Sequence, residues 1–372
     1  MAVFQVKTTT VHGEDSLSYL KEIQQKNIWI ICDPFLANSD GMKLLMENID
    51  CSNLITVFSD IIPDPPIEKV VKGMIEASVI KAEIMIAFGG GSAIDTAKGI
   101  YYFSNKLNIT SIEQFIAVPT TSGTGSEVTQ VTVITDPDSK IKYPLFDEAI
   151  VPDVAILDPV LCLTVPPHIT ANTGMDVLVH GIEAYVSTGA TNYTDALAEK
   201  SIYLTFNHLV ACHENGLNLK DRNGMHDASA LAGMAFNCSN LGINHSIAHQ
   251  LGAQFKIPHG LANAMLLVPV IQFNAKHSPK AEKKYAHLAR VTGVAATTDC
   301  NKVAINLLCQ KITAMIDKMN LAKTLKEVGV TKEQVLAVIG EIVENTLNDT
   351  CFATNPVKLT KADIAGIIAT VI

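Results

Sequence analysis

Three imidazoles, His245, His249 and His259, fall within residues 244–260 (NHSIAHQLGAQFKIPHG), a stretch almost free of charge. Upstream, residues 173–185 (TGMDVLVHGIEAY) place Asp176 and His180 four apart. On a helix that spacing puts a carboxylate and an imidazole on one face, one turn apart. His245 and His249 repeat it, and His259 follows a turn closed by Pro258. A lone histidine on an apolar helix is usually a hydrogen-bonded core residue. One carboxylate and up to four imidazoles drawn from different helices suit a divalent ion such as Fe²⁺ or Zn²⁺, with no thiolate and an open position for substrate. Spacing alone leaves open which of residues 245, 249 and 259 would bind.

A second chemistry is legible in residues 84–100 (IMIAFGGGSAIDTAKGI): a strand, a glycine turn and a helix start in succession. Glycine lets the backbone approach a phosphate, and the free N–H groups of a helix start attract an anion. An ordinary turn capped by Ser92 is the plainer alternative, but three glycines exceed what a cap needs. The spacing is not GxGxxG, so the Rossmann fingerprint as such is absent. Asp95 and Lys98 read equally well as a helix-surface pair. Residues 118–127 (VPTTSGTGSE) end another strand with Thr120, Thr121, Thr124 and Ser126 spaced by glycines, suited to contacts with a ribose or pyrophosphate. Together the two loops predict a dinucleotide site at the C-terminal ends of neighbouring strands. Asp33 closes an earlier strand, WIICD. It is either a solvated turn residue or a carboxylate that accepts from ribose hydroxyls and repels a 2′-phosphate, favouring NAD over NADP.

Two kinds of framework must position these groups. Up to about residue 160, short β-rich runs at 27–33, 53–58, 83–90, 114–121 and 153–158 alternate with helical stretches, which predicts a parallel sheet covered on both faces. Residues 131–146 read as a hairpin around an Asp-Pro-Asp-Ser turn. Beyond Pro166-Pro167, a good boundary and helix start, apolar residues recur at helical spacing over 177–186, 195–210, 227–236 and 303–319. The expected organisation is an α/β dinucleotide-binding domain over 1–164 and an all-α metal-binding domain over 165–372.

Composition narrows the function. With 372 residues, 48% hydrophobic and 17% charged, the chain can bury a large core. A net charge of −9 and only two arginines, Arg222 and Arg290, exclude the basic face that nucleic acid requires. The eight cysteines form no CxxC pair, as expected of free thiols in a reducing cytoplasm. No signal-peptide pattern opens the sequence, and prolines and polar residues interrupt 257–275, so no membrane span is expected.

The motifs FGGGSAIDTAK, PTTSGTGSEVT, TGMDVLVHGIEAY and NHSIAHQLGAQFKIPHGLANA, in that order, resemble those of the iron-containing (group III) alcohol dehydrogenase family. The likeness runs over essentially the whole chain. Within the family, NIWIICD, IKYPLFDEAIVPDVAILDP and ANTGMDVLVHGIEAYVS look most like the 1-propanol dehydrogenases of propanediol-utilisation microcompartments; the ethanol-utilisation type is similar. The resemblance implies a dehydroquinate synthase-like architecture and a metal held by Asp176, His180, His245 and His259, with His249 beside it as a proton carrier. It also implies NAD(H) bound through Asp33, Gly90, Gly91, Ser92, Thr120, Thr121, Thr129 and Lys142. A substrate pocket is implied at Val131, Phe236, Leu241 and Cys351, whose apolar or soft side chains suit a short aliphatic alcohol or aldehyde better than a polyol. Where relatives often have Asn in the loop IPDPP, this chain has Asp64. A homodimer or higher homo-oligomer and microcompartment shell or enzyme partners are further implications. The rival readings are a related diol or polyol dehydrogenase, a lyase of the same architecture, and a catalytically silent scaffold protein. A lyase acting on a phosphorylated acid should need basic pocket residues, which two arginines scarcely supply.

Overall fold

The structure is a computed structural model that describes residues 4–62, 66–136 and 141–372. Asp64, the expected turn at 137–139 and the side chain of Lys142 lie outside the described residues. The chain divides into two compact units, Met1–Val165 with Gly216–Gly233, and Pro166–Asn215 with Met234–Ile372.

In the first unit the elements run β1 (Thr9–His12), β2 (Asn27–Cys32), α1 (Asp40–Glu47), β3 (Leu54–Phe58), α2 (Ile67–Ile80), β4 (Ile84–Gly89), α3 (Gly91–Lys106), β5 (Gln114–Pro119), β6 (Val131–Asp136), β7 (Ile141–Phe146) and β8 (Val154–Leu157). Six strands form a parallel sheet in the order β1-β8-β5-β4-β2-β3. Its inner strands β2, β4, β5 and β8 are buried along almost their whole length because both faces are covered, whereas the edge strands β1 and β3 are largely exposed. Trp29 and Ile31 of β2, with Met85 and Ala87 of β4, enter one core with α2 and α3. Ile28, Ile30 and Cys32, with Ile84, Ile86 and Phe88, enter another with Leu17, Leu20 and Leu45. That two-residue alternation is the strand period expressed in packing. β6 and β7 pair antiparallel, Val131 opposite Phe146. β1, a short edge strand, gave no signal in the sequence; it is recruited by parallel pairing with β8, Thr9 opposite Val154.

The connections set the site. From β2 the chain passes through α1 to β3 on one side, then returns through α2 to β4 on the other. Connections leaving β2 and β4 therefore diverge, and the C-terminal ends of these two strands form the crevice where ligands bind in open α/β sheets. Asp33 follows β2, and Gly90 and Gly91 follow β4.

The second unit is helical: α4 (Pro167–Val186), α5 (Asn192–Glu214), the end of α6 (Leu219–Ser239), α7 (Ile243–Phe255), α8 (His259–His277), α9 (Pro279–Val291), α10 (Asn301–Lys318), α11 (Lys332–Asn348) and α12 (Lys361–Ala369). α4 starts at Pro167, where the fixed proline φ favours a first helical residue. From Gly174 to Val186 every residue of α4 is buried. A helix apolar on all sides belongs in a core, so the polar groups it carries there must find partners inside the protein. α7, α8, α11 and α12 close a further core around Ile247, Leu251, Leu266 and Ile342. No helix among the described residues is long and apolar enough to cross a membrane.

Candidate active site

The second unit gathers the histidines. α4 supplies Asp176 and His180, the first turn of α7 supplies His245, and α8 opens with His259. Ligand atoms of Asp176, His180 and His245 lie within 4.8 Å of one another. His245 Nε2 is 3.5 Å and His259 Nε2 3.4 Å from Asp176 Oδ1, and His180 Nε2 is 4.0 Å from Oδ2. Asp176 and His180 are buried, and His245 is 1% exposed. Burial would raise the pKa of Asp176, but the imidazoles of His180, His259 and His245 hold it well below the carboxylate range. Burial likewise opposes a charge on His245, yet Asp176 and Glu183 raise its pKa to about 9. A charge deficit is thus built into the cluster, which either a proton or a cation relieves.

One atom bears directly on the metal reading. His245 Nε2 is buried with no hydrogen-bond partner, while its Nδ1 is held by Glu183 Oε2 at 2.6 Å. A histidine tied at Nδ1 to a carboxylate and open at Nε2 is poised as a metal ligand. The oxygen and imidazole donors fit a divalent ion of the iron or zinc type. Around them, Asn263 Nδ2 donates to Asp176 Oδ1 at 2.7 Å, and Asn263 Oδ1 accepts from Asn244 Nδ2 at 2.9 Å. Glu183 also accepts the backbone N–H of Asn244 at 2.7 Å and of His245 at 3.3 Å, an anion at a helix start where the dipole favours it.

His249, one turn beyond His245, belongs to a different set. Its Nδ1 lies 2.8 Å from Asp349 Oδ2, and its ring stacks on His259 with centroids 5.3 Å apart. Burial of Asp349 opposes its charge, but His249 and the Cys351 amide bring its pKa down to about 2. Of the residues expected to line a pocket, Phe236 stacks on His180 at 4.6 Å. Leu241 and Cys351 are buried in the same unit. Val131 lies in the first unit, at the start of β6.

In the first unit, the Gly90 N–H donates to the Asp33 carboxylate, whose pKa is raised because burial outweighs that bond. Gly89 has φ +154°, and a Cβ there would meet Asp33 Oδ2 at 2.6 Å. A Cβ on Gly91 would meet Thr124 Cγ2 at 2.7 Å. Glycine is therefore required for the turn and for the close approach of the hydroxyl-rich loop. Thr120 N–H donates to the Gly89 carbonyl at 3.0 Å, and Thr121 flanks Gly90. Ser92 lies in the first turn of α3. The surface reading of Lys98 is corrected: it is fully buried, its Nζ donating to the carbonyls of Thr129 at 2.7 Å and Val131 at 2.9 Å and to Thr129 Oγ1 at 3.0 Å. Burial lowers its pKa to about 8. Thr129, expected among the cofactor contacts, is itself buried beside that ammonium.

The model described as iron-containing alcohol dehydrogenase matches residues 7–159, and that of the C-terminal part of the Fe-containing alcohol dehydrogenase family matches 170–372. The chain belongs to the iron-containing alcohol dehydrogenase family. It is 49% identical to 1-propanol dehydrogenase PduQ of Salmonella typhimurium over 96% of both chains. The solved 1,3-propanediol oxidoreductase superposes with a TM-score of 0.92 at 30% identity over 100% of each chain. A sulfoacetaldehyde reductase of Bifidobacterium kashiwanohense, solved with NAD⁺, gives 0.89 at 27% identity, covering 100% of this chain and 98% of that one. The protein is thus an enzyme of alcohol–aldehyde interconversion, in a family that uses iron and NAD(H) and shares the dehydroquinate synthase-like architecture.

Sequence reasoning missed Glu183, Asn263 and Asp349. Glu183 stands seven residues after Asp176 on α4 and Asn263 four after His259 on α8, so helical spacing could have found both. Asp349 is separated from His249 by 100 residues, and no local pattern marks it.

Proposed function

We propose that this enzyme reduces short aliphatic aldehydes, propanal foremost, to primary alcohols with NADH, and that Asp176, His180, His245 and His259 hold its metal ion. The observation that carries the ligand set is the buried, partnerless Nε2 of His245 facing Asp176. The substrate rests on the 49% identity to a 1-propanol dehydrogenase, and on the apolar character of Phe236, Leu241 and Cys351 in the unit that carries the ligands. When bound, iron supplies Lewis acidity toward the substrate oxygen, and the reduced nicotinamide supplies the hydride.

The chain's own residues do the rest. Glu183 fixes the His245 ring by accepting from Nδ1, and Asn263 orients Asp176. His249, with its side chain 40% exposed, gives a proton from Nε2 to the substrate oxygen during reduction and takes one back during oxidation. On the nucleotide side, the first-turn amides of α3 with Gly90, Gly91 and Ser92 take the pyrophosphate. Thr120, Thr121, Thr129 and Lys142 complete the binding loops, and the Asp33 carboxylate selects NAD over NADP. Self-association as a homodimer or larger homo-oligomer, and residence in a microcompartment beside shell or enzyme partners, extend the likeness to PduQ.

An anaerobic panel of C2–C4 aldehydes and diols with each nicotinamide cofactor tests the substrate and cofactor. Highest kcat/KM with propanal and NADH supports this reading. Preference for acetaldehyde would move the enzyme to ethanol metabolism. Preference for a diol would align it with the 1,3-propanediol oxidoreductase it superposes on.

A further inference from the structure

His249 has its side chain 40% exposed, but one edge of its ring is held. Nδ1 meets Asp349 Oδ2 at 2.8 Å, and the ring face stacks on His259. Asp349 is fixed in turn. Its Oδ1 accepts the Cys351 N–H at 2.9 Å at the start of the 3-10 turn Thr350–Thr354, and the Ser246 hydroxyl at 3.3 Å. The Asp349 side chain is 12% exposed. A carboxylate held by the Cys351 amide, with the Ser246 hydroxyl shared between it and the Gly242 carbonyl, has little freedom to follow a moving imidazole; the imidazole must conform to it.

We propose that Asp349 is the positioning residue of His249: by accepting the Nδ1 proton it sets the ring's orientation and tautomer, so that Nε2 is the atom that exchanges a proton with the substrate oxygen. A neutral imidazole carries one N–H, and an acceptor at one nitrogen places the proton there. In aldehyde reduction the doubly protonated ring gives up its Nε2–H as the substrate O–H bond forms, is left as the Nδ1–H tautomer already paired with Asp349, and takes its next Nε2 proton from solvent. Without that carboxylate the exposed ring would turn about its side-chain bonds and offer either nitrogen. The inference rests on His249 being the proton carrier, so its test must separate the two ideas.

The metal-loaded enzyme and its variants His249→Phe, Asp349→Ala, Asp349→Asn and the double variant His249→Phe/Asp349→Ala would be compared for kcat, KM for propanal, bound iron, NADH affinity and thermal midpoint. Asp349→Ala should lower kcat roughly 10–100-fold, the range typical of losing an orienting partner, with iron content and NADH affinity retained. In the His249→Phe background the same change should cost nothing further in kcat. In Asp349→Asn the single amide oxygen can cap the turn at Cys351 or accept from Nδ1–H, but not both. Held by the turn, it leaves NH₂ facing Nδ1, so kcat should fall as in Asp349→Ala while the thermal midpoint is better kept. An equal fold-loss in both backgrounds would reduce Asp349 to a structural cap and overturn the proposal. So would loss of iron in Asp349→Ala, or full kcat in that variant while His249→Phe is impaired. Full kcat in His249→Phe would remove the proton carrier itself, and this inference with it.

Discussion

Glu183 offers a quantitative test of the metal centre, because its carboxylate serves three donors at once: His245 Nδ1 at 2.6 Å, Asn244 N at 2.7 Å and His245 N at 3.3 Å. Glu183→Ala would strand at least the two short-range donors in a buried site. At about 1–3 kcal/mol for each, the loss of about 2–6 kcal/mol is a large share of a typical domain's stability. Glu183→Gln is the sharper perturbation. If its oxygen keeps the Asn244 amide, its NH₂ faces His245 Nδ1 and can only donate. The imidazole proton is then forced onto Nε2, the atom that needs a free lone pair to ligate. If the amide is reversed, NH₂ meets the Asn244 N–H, donor against donor. Either way one buried bond is lost, about 1–3 kcal/mol. At about 1.4 kcal/mol per tenfold that is roughly a 5–150-fold loss of metal affinity, in line with the 10–100-fold typical of partners that orient metal ligands. Competition of bound Fe²⁺ or Zn²⁺ against a graded chelator, read by elemental analysis, gives the ratio without any activity assay. A cooperative thermal transition in the metal-free variant shows that it folds. Unchanged affinity in folded Glu183→Gln would refute the claim that this carboxylate sets the His245 tautomer.

Changing Asp176, His180, His245 or His259 to Ala should strip most bound metal and lower activity by orders of magnitude while NADH binding survives; elemental analysis with NADH titration decides it, and full activity in metal-free protein would sink the mechanism. Asp33→Gly should shift preference toward NADPH by about 1–3 kcal/mol, the scale of one charged contact, read as the ratio of kcat/KM for the two cofactors. His226, 1% exposed in the first unit, has its pKa lowered by burial to about 4 from the ordinary imidazole value of 6.5. The unfolded chain binds the proton more readily between those values, so this contribution is complete above pH 6.5 and fades as pH falls through about 4. The shift corresponds to about 3 kcal/mol. Denaturant unfolding of the first-unit signal between pH 7 and 4 should therefore be less pH-dependent in His226→Gln than in the parent, and equal slopes would contradict it.

The sequence by itself determined five of the six strands of the sheet, the helix start at Pro167 and the one-face pairing of Asp176 with His180, because each depends on neighbours within one or two turns. Apolar runs without alternation already required a sheet covered on both faces, and glycines next to a strand end already required a close backbone approach. Tertiary structure decided what depends on partners distant in the chain. β1 has too little signal of its own and exists by pairing with β8. Lys98 looks like a surface lysine in sequence, yet the carbonyls of Thr129 and Val131, more than 30 residues on, draw it into the interior. Spacing could not separate His245 from His249, which sit on one helix one turn apart. Glu183, from α4, holds one, and Asp349, 100 residues further along, holds the other. The chemistry of an imidazole is set by what its second nitrogen meets, and that contact exists only in the folded chain.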